Sequence, residues 1–152
     1  MPLIRILIVD DYQPFRQSVR QVCELAAGFE VIGEAENGHE AVELAHRLQP
    51  DVILMDIEMP IMDGIEATSL IVAQNPATRV IALTAAWADA GALKMLKAGA
   101  YGYLIKRDQD SNLVEAIRAV HRGEAMIDSQ VTVQVLDEFR RISEQKREIK
   151  KT

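Results

Sequence analysis

Cysteine and long apolar stretches are the two features that this sequence most clearly lacks. Cys23 is the only cysteine in 152 residues, so no internal disulfide can form, and we expect it to be a small core residue of the first helix. No apolar run approaches the length of a membrane span, and the first residues lack a signal-peptide pattern. We therefore expect a cytoplasmic protein without a membrane segment.

Basic residues are scarce in the main part of the chain. Residues 1–127 carry 18 acidic side chains against 11 basic ones. Because nucleic-acid phosphates bind Lys and Arg, this balance argues against a nucleic-acid surface there. Hydrophobic residues make up 49% of the chain and charged residues 26%, which is typical of a globular domain with an ordinary core.

Linkers rich in proline or serine and internal repeats are also missing, which favours one domain. Apolar, strand-like runs alternate with stretches of helical periodicity. The strand-like runs are residues 3–9, 29–35, 52–56, 80–84 and 101–105. This alternation predicts a parallel sheet with helices on both faces, a doubly wound α/β domain over residues 1–125.

Chemically related polar groups end four of the predicted strands. They are Asp10 and Asp11, then Asp56, Thr84 and Lys106. In a parallel sheet these positions share the edge at which open α/β sheets bind ligands. Three carboxylates and one ammonium leave a negative excess that a divalent cation would balance, and oxygen ligands favour Mg²⁺. The set suits a phosphoryl group, with Asp56 as nucleophile and Lys106 and Thr84 holding phosphoryl oxygens.

Four motifs around these residues resemble the receiver domain of two-component response regulators. They are Val9-Asp10-Asp11, Asp56-Ile57-Glu58-Met59-Pro60-Ile61-Met62-Asp63-Gly64, Ala82-Leu83-Thr84-Ala85 and Gly99-Ala100-Tyr101-Gly102-Tyr103-Leu104-Ile105-Lys106. The resemblance is greatest to the subfamily with a helix-turn-helix DNA-binding output domain, which we expect to be absent from these residues. It implies the flavodoxin-like receiver fold, a five-stranded parallel sheet with strand order 2-1-3-4-5.

The resemblance also implies a function and a cofactor. Asp56 would accept a phosphoryl group from a sensor histidine kinase. Mg²⁺ would be bound by Asp11, Asp56 and the backbone carbonyl of Glu58, with Asp10 assisting. The protein would not be an enzyme beyond phosphorylating itself from a donor and slowly losing the group. Its role would be signal transduction, and transcription regulation where it is fused to a DNA-binding domain.

A conformational switch is implied as well. Lys106 would pair with the phosphoryl group, Thr84 would donate a hydrogen bond to it, and Tyr103 would turn inward as Thr84 moves. Trp87, three residues after Thr84, is predicted to change its fluorescence with that movement.

Two positions depart from the family pattern. Arg107 follows Lys106 where many receivers have proline, which leaves open whether this peptide bond is cis or trans. Ala86 occupies a position that tunes dephosphorylation in the family. Because alanine cannot orient a water molecule, slow self-hydrolysis is expected.

Residues 126–152 form a separate C-terminal part in this prediction. They carry one apolar helical stripe, consisting of Val131, Val135, Phe139, Ile142 and Ile149. The stripe is short for a coiled coil, so a linker helix docked on its own domain is favoured over a dimerising coil. Without a second recognition helix the chain is not expected to bind nucleic acid. Homodimerisation on phosphorylation is expected instead.

Three other interpretations stay open. An aspartate-nucleophile phosphatase also uses an acid at a strand end with a second acid two residues later, as in Asp56 and Glu58, but such enzymes normally need a cap or a longer chain. A flavin-binding electron carrier shares the topology, but no loop is rich enough in serine, threonine and glycine to hold a flavin phosphate. The third is a docking module that is never phosphorylated. The presence of the complete set of Asp11, Asp56, Thr84 and Lys106 argues against it, because such a module would not need these residues.

Overall fold

A computed structural model describes residues 2–85, 91–106 and 109–151. Its strands are β1 Ile4–Val9, β2 Phe29–Ala35, β3 Val52–Asp56, β4 Arg79–Thr84, β5 Gly102–Ile105 and β6 Met126–Ile127. Its helices are α1 Gln13–Leu25, α2 Gly38–Leu48, α3 Gly64–Gln74, α4 Gly91–Lys97, α5 Gln109–His121 and α6 Ser129–Lys151.

The strands of the described residues form one parallel sheet in the order β2-β1-β3-β4-β5-β6. The predicted order 2-1-3-4-5 is confirmed, but the sheet has one strand more than the five predicted. In β6, Met126 pairs with Gly102 and Ile127 pairs with Tyr103. A two-residue strand is too short to show any periodicity, which is why the sequence pattern missed it.

Alternate residues of the central strands build a core on each face of the sheet. In β3, Ile53 and Met55 face the core beneath α2, α3 and α4, whereas Val52 and Leu54 face the core beneath α1 and α5. All four are essentially inaccessible to solvent, as predicted for a strand buried on both faces. Each such side chain contributes about 1.5–3 kcal/mol through burial. Cys23 lies in the second core, where burial raises the pKa of its thiol to about 11.

Capping groups set where the helices begin and end. The side chain of Asn37 accepts a hydrogen bond from the backbone N–H of Glu40 (2.8 Å) at the start of α2. Asp63 accepts one from the N–H of Glu66 (2.9 Å) at the start of α3. Gly99 follows α4 with a φ of +118°, a left-handed conformation that favours glycine. Helices α2 and α3 therefore begin at fixed points just beyond the carboxyl edge of the sheet.

Among the described residues, helix α6 packs against the core of the domain at its beginning. Val131 has no exposed surface and belongs to the same core as Tyr103, and Val135 packs against that core. Phe139 and Ile149, further along the predicted stripe, are 60% and 74% exposed. The stripe is helical as predicted, but its members differ in burial because the helix extends past the body of the domain. The predicted domain boundary at residue 125 stays a prediction.

None of the helices within residues 2–85, 91–106 and 109–151 has the length and apolar character needed to cross a membrane.

Candidate functional site

The polar strand ends meet at the carboxyl edge of the sheet. Asp10 follows β1, Asp56 is the last residue of β3, and Lys106 follows β5. One carboxylate oxygen from each of Asp10, Asp11 and Asp56 lies within 4.8 Å of the other two. The structure therefore brings together the three acids that the sequence singled out, with the lysine beside them.

Asp56 is held in a buried position with one oxygen engaged. The residue is 8% exposed, and its Oδ1 accepts a hydrogen bond from the backbone N–H of Ile57 (2.9 Å) and lies 3.6 Å from Lys106 Nζ. Burial, and next the negative charge of Asp10, raise the pKa of the Asp56 carboxyl to about 6, against the opposing charge of Lys106. Its other oxygen, Oδ2, accepts no hydrogen bond from the described part of the chain.

Asp10 is bound through all three of its oxygens. Oδ1 accepts a hydrogen bond from the N–H of Tyr12 (2.8 Å), and Oδ2 lies 2.7 Å from Lys106 Nζ. Its backbone carbonyl oxygen accepts a bond from Arg16 Nη1 (2.6 Å). Asp11, in contrast, is exposed at the mouth of the site. The two adjacent acids thus differ, one being fixed inside the protein and one facing solvent.

Lys106 connects the acids. Its ammonium forms the short ion pair with Asp10 and the longer one with Asp56, and it lies 4.4 Å from the ring centroid of Phe15, within cation–π distance. Two carboxylates and one aromatic ring therefore hold a single ammonium group beside the Asp56 carboxylate.

The loop after β3 passes very close to that strand. A Cβ atom at Gly64 would overlap the carbonyl oxygen of Asp56, and one at Gly38 would overlap the carbonyl oxygen of Met62. The N–H of Gly64 donates to the carbonyl of Ile57 (2.7 Å) and the N–H of Gly38 to that of Met62 (2.9 Å). Close backbone approach therefore requires glycine at these two positions, and it fixes the loop of residues 57–63 against the end of β3 and the start of α2. Within this loop Ile61 has a φ of +71°, which is strained for a β-branched residue.

The predicted switch residues lie on neighbouring strands. Thr84 is 5% exposed and pairs with Ile105, the residue before Lys106. Tyr103 has no exposed surface and belongs to the core beneath α4 and α6. The ring is thus inward in this structure. Ala86, Trp87 and the peptide bond between Lys106 and Arg107 lie outside the described residues.

The donor set is suited to a hard divalent cation. Three carboxylates supply oxygen ligands only, and the exposed position of Asp11 leaves room for water and phosphate oxygens. Burial, and next the negative charge of Asp10, raise the pKa of the Asp56 carboxyl, and a bound cation would favour its ionised form. These residues fit Mg²⁺ better than zinc or copper, which prefer nitrogen and sulfur ligands.

A family model described as the response regulator receiver domain matches residues 6–118. The chain belongs to the response regulator receiver family. Receivers of this family accept a phosphoryl group in two-component signalling. The family predicted from the motifs is therefore confirmed.

Known proteins resemble this receiver over most of its length. Transcriptional regulatory protein DegU of Brevibacillus brevis is 40% identical over 139 residues, which are 91% of this chain and 59% of DegU. A LuxR-family two-component response regulator from Aurantimonas sp. SI85-9A1 superposes with a TM-score of 0.83 at 34% identity, covering 90% of this chain and 97% of that one. The CheX–CheY–BeF₃–Mg²⁺ complex from Borrelia burgdorferi gives a TM-score of 0.70 at 29% identity, covering 77% of this chain and 88% of that one. The receiver therefore spans about three-fifths of the DegU relative.

Two residues of the receiver's first helix contact the site but were not identified as site residues. Neither Phe15 nor Arg16 was singled out from the sequence. The signal available for Arg16 was its position three residues before Val19 and seven before Cys23, on the buried face of the helix. A charged residue on such a face needs a partner, and the pattern alone does not reveal which one.

Proposed function

We propose that this receiver accepts a phosphoryl group on Oδ2 of Asp56, from a sensor histidine kinase and in the cytoplasm. The observation that carries the proposal is the position of Asp56. It is buried at the carboxyl end of β3, with Oδ1 engaged by Ile57, Oδ2 available, and Lys106 Nζ 3.6 Å from Oδ1. With a pKa of about 6, the carboxyl is mostly ionised at neutral pH and can act as a nucleophile.

Mg²⁺ is the cofactor in this proposal. Asp11, Asp56 and the backbone carbonyl of Glu58 would hold it, with Asp10 assisting. The clustering of the three acids supports this set, and the similar CheY was solved with both BeF₃ and Mg²⁺. When bound, the cation supplies positive charge beside the phosphoryl oxygens.

The transfer itself needs few groups from the protein. Oδ2 of Asp56 attacks phosphorus, the bond from phosphorus to the donor nitrogen breaks, and the electron pair and then a proton go to the leaving imidazole. The product is an acyl phosphate on Asp56. Lys106 is already oriented by Asp10 and Phe15, so its ammonium can stabilise the phosphoryl oxygens with little rearrangement. The hydroxyl of Thr84 would donate the further hydrogen bond.

The output of the switch would follow from Thr84 and Tyr103. Movement of Thr84 toward the phosphoryl group would affect β5 and the core that Tyr103 shares with Val131 of α6. We propose that phosphorylation thereby changes self-association of this chain. DegU is named a transcriptional regulatory protein, and regulation of transcription is the proposed role of a longer protein that contains this receiver.

Intact-mass measurement after treatment with acetyl phosphate tests the proposal. The wild-type mass should increase by one phosphoryl group with Mg²⁺ and stay unchanged with EDTA. Sedimentation of the same labelled sample should give a larger average mass than the unlabelled protein.

Two variants identify the acceptor. Asp56→Asn should abolish labelling, because the amide is a much weaker nucleophile. Asp51→Asn, at the residue just before the opposite end of β3, should label like wild type. Full labelling of Asp56→Asn, or labelling that is insensitive to Mg²⁺, would contradict the proposal.

A further inference from the structure

Arg16 is the one arginine of the described residues that touches the backbone of the acidic cluster. It lies in α1 with a side chain only 13% exposed. Its Nη1 donates to the carbonyl oxygen of Asp10 (2.6 Å), and its Nε donates to Oε1 of Glu34 in β2 (3.0 Å). The planar guanidinium thus connects the first helix, the end of β1 and the second strand.

Glu34 is fixed in turn by a second arginine. Its Oε2 accepts a hydrogen bond from Arg20 Nε (2.8 Å), one helical turn after Arg16. Burial opposes ionisation of Glu34, but the hydrogen bonds from Arg20 and Arg16 outweigh it and lower the pKa of this carboxyl. Glu34 therefore stays charged and holds the guanidinium of Arg16 in one orientation.

The carbonyl that Arg16 binds belongs to the turn that carries both Asp10 and Asp11. The N–H of Asp10 donates to the carbonyl of Ala35 (3.0 Å) and still belongs to the sheet, but its carbonyl has left the strand ladder. The side chain of Asp10 meets Lys106 on one side, and Arg16 binds its main chain on the other. The hydrogen bond from Arg16 therefore restrains the peptide between Asp10 and Asp11, which joins the two acids.

We propose that Arg16, oriented by Glu34, is a positioning residue that aims the carboxylates of Asp10 and Asp11 at the divalent cation. This inference rests on the proposed function, because it assumes that these acids bind the cation. Arg16 would touch neither the phosphoryl group nor the cation, and it would act only through the backbone of Asp10. Partners that orient metal ligands typically change metal affinity by 10–100-fold when they are removed.

Metal affinity measured directly is the first readout. Mn²⁺ binding, followed by the loss of the free-ion electron paramagnetic resonance signal, needs no phosphorylation. Arg16→Gln and Glu34→Gln should each raise the dissociation constant on the order of tenfold. The double variant should be no weaker than the worse single variant, because the two side chains act as one unit. An unchanged dissociation constant in Arg16→Gln, or additive losses, would overturn the inference.

Labelling by acetyl phosphate supplies the second readout. In Arg16→Gln the half-saturating Mg²⁺ concentration should rise on the order of tenfold, while the rate at saturating Mg²⁺ stays within about twofold of wild type. A fall in the saturating rate with an unchanged Mg²⁺ requirement would overturn the inference.

Replacing Arg16 by lysine tests whether the geometry of the guanidinium or only its positive charge matters. Arg16→Lys keeps the positive charge but cannot bind Asp10 and Glu34 with a rigid fork, so its Mn²⁺ affinity should lie between those of wild type and Arg16→Gln. Full recovery with lysine would assign the effect to charge and overturn the positioning role.

Arg122→Gln is the matched control. Arg122 also joins two carboxylates, donating to Glu124 (2.6 Å) and Glu115 (3.5 Å), but it follows α5 and forms no hydrogen bond or ion pair with Asp10, Asp11 or Asp56 among the described residues. The Arg122→Gln variant should bind Mn²⁺ with the same affinity as wild type. An equal loss in both arginine variants would show a general effect of arginine removal and would overturn the inference.

The labelling and Mn²⁺-binding results together distinguish a failure of the Arg16 role from a failure of the proposed function. If wild-type protein is labelled on Asp56 with Mg²⁺ and Arg16→Gln retains wild-type affinity in a folded state verified by circular dichroism, only the role of Arg16 is wrong. If wild-type protein neither binds Mn²⁺ nor becomes labelled, the proposed function is wrong and the positioning role is wrong with it.

Discussion

The carboxyl edge of the sheet and the C-terminal residues 126–151 were both predicted from apolar and polar patterns, with different success. At the edge, the predicted acids and Lys106 meet within contact distance. In the C-terminal segment the predicted helix forms, but an unpredicted strand precedes it and only its beginning is buried.

The difference has a geometric origin. All parallel strands end at the same edge, so residues that end strands are brought together whatever the details of packing. A helical stripe shows which side chains share a face, but it carries no information on how far the neighbouring surface extends. Val131 and Ile149 share a stripe, yet one is buried and the other is not, because the domain ends between them.

The largest expected loss of stability comes from the close backbone contact at Gly64, at the carboxyl edge of the sheet. Gly64→Ala should lower the free energy of unfolding by about 3 kcal/mol, because its Cβ would overlap the carbonyl oxygen of Asp56 and the loop must move. Phosphoryl labelling should fall with it, since the displaced loop carries Glu58. Chemical unfolding monitored by circular dichroism, together with intact mass, measures both.

Gly123→Ala is the control near the C-terminal segment. No atom lies within 4 Å of its added Cβ, so only its φ of +89° opposes the change, at a cost of about 1 kcal/mol. Labelling should be unaffected. Equal losses of stability in the two variants would contradict the claim that close contact, and not dihedral preference, requires Gly64.

Two valines in α6 provide the next test. Val131→Ala should lower the free energy of unfolding by about 2 kcal/mol, because Val131 is fully buried. Val133→Ala, two residues later and 59% exposed, should change it by less than about 0.5 kcal/mol. Unfolding in urea compares the pair. Equal effects would mean that α6 does not pack on the domain in solution as it does in the structure.

The smallest expected change in the free energy of unfolding is electrostatic and depends on pH. Asp56 has a pKa of about 6 in the folded protein and 3.8 ordinarily, so between these values the folded state holds the proton and the unfolded state releases it. The free energy of unfolding therefore falls as pH rises through this window. In EDTA, Asp56→Asn should be more stable than wild type at pH 7.5 by about 1–2 kcal/mol, with solvent screening included, and should lose this advantage near pH 4.

The C-terminal segment supplies the control for this effect too. Asp137 lies on α6 with its side chain 68% exposed, and Asp137→Asn should leave the free energy of unfolding within about 0.5 kcal/mol of wild type. Urea unfolding at both pH values, with and without Mg²⁺, measures the series. A gain in stability for Asp56→Asn that persists at pH 4 would refute the electrostatic explanation.

Much of the site could be predicted because its members carry distinct chemistry at strand ends. Asp10, Asp11, Asp56 and Lys106 are polar residues directly after apolar runs. Arg16 and Phe15 could not be assigned in this way, because they lie inside a helix and their partners come from other elements. Glu34 is 18 residues away from Arg16 in the chain and in hydrogen-bond contact with it.

By itself, the sequence determined the receiver family through its motifs, and the parallel sheet with acids at its edge through the alternation of strands and helices, whereas the strand order was implied by the resemblance to that family. Only the tertiary structure decided that Asp10 is bound through three oxygens while Asp11 faces solvent, that Gly64 must lack a side chain, and that Val131 is buried while Phe139 is exposed. These properties depend on distances between elements remote in the chain. A sequence pattern shows which residues share one face of a helix or strand. It does not show which residues of other elements contact that face.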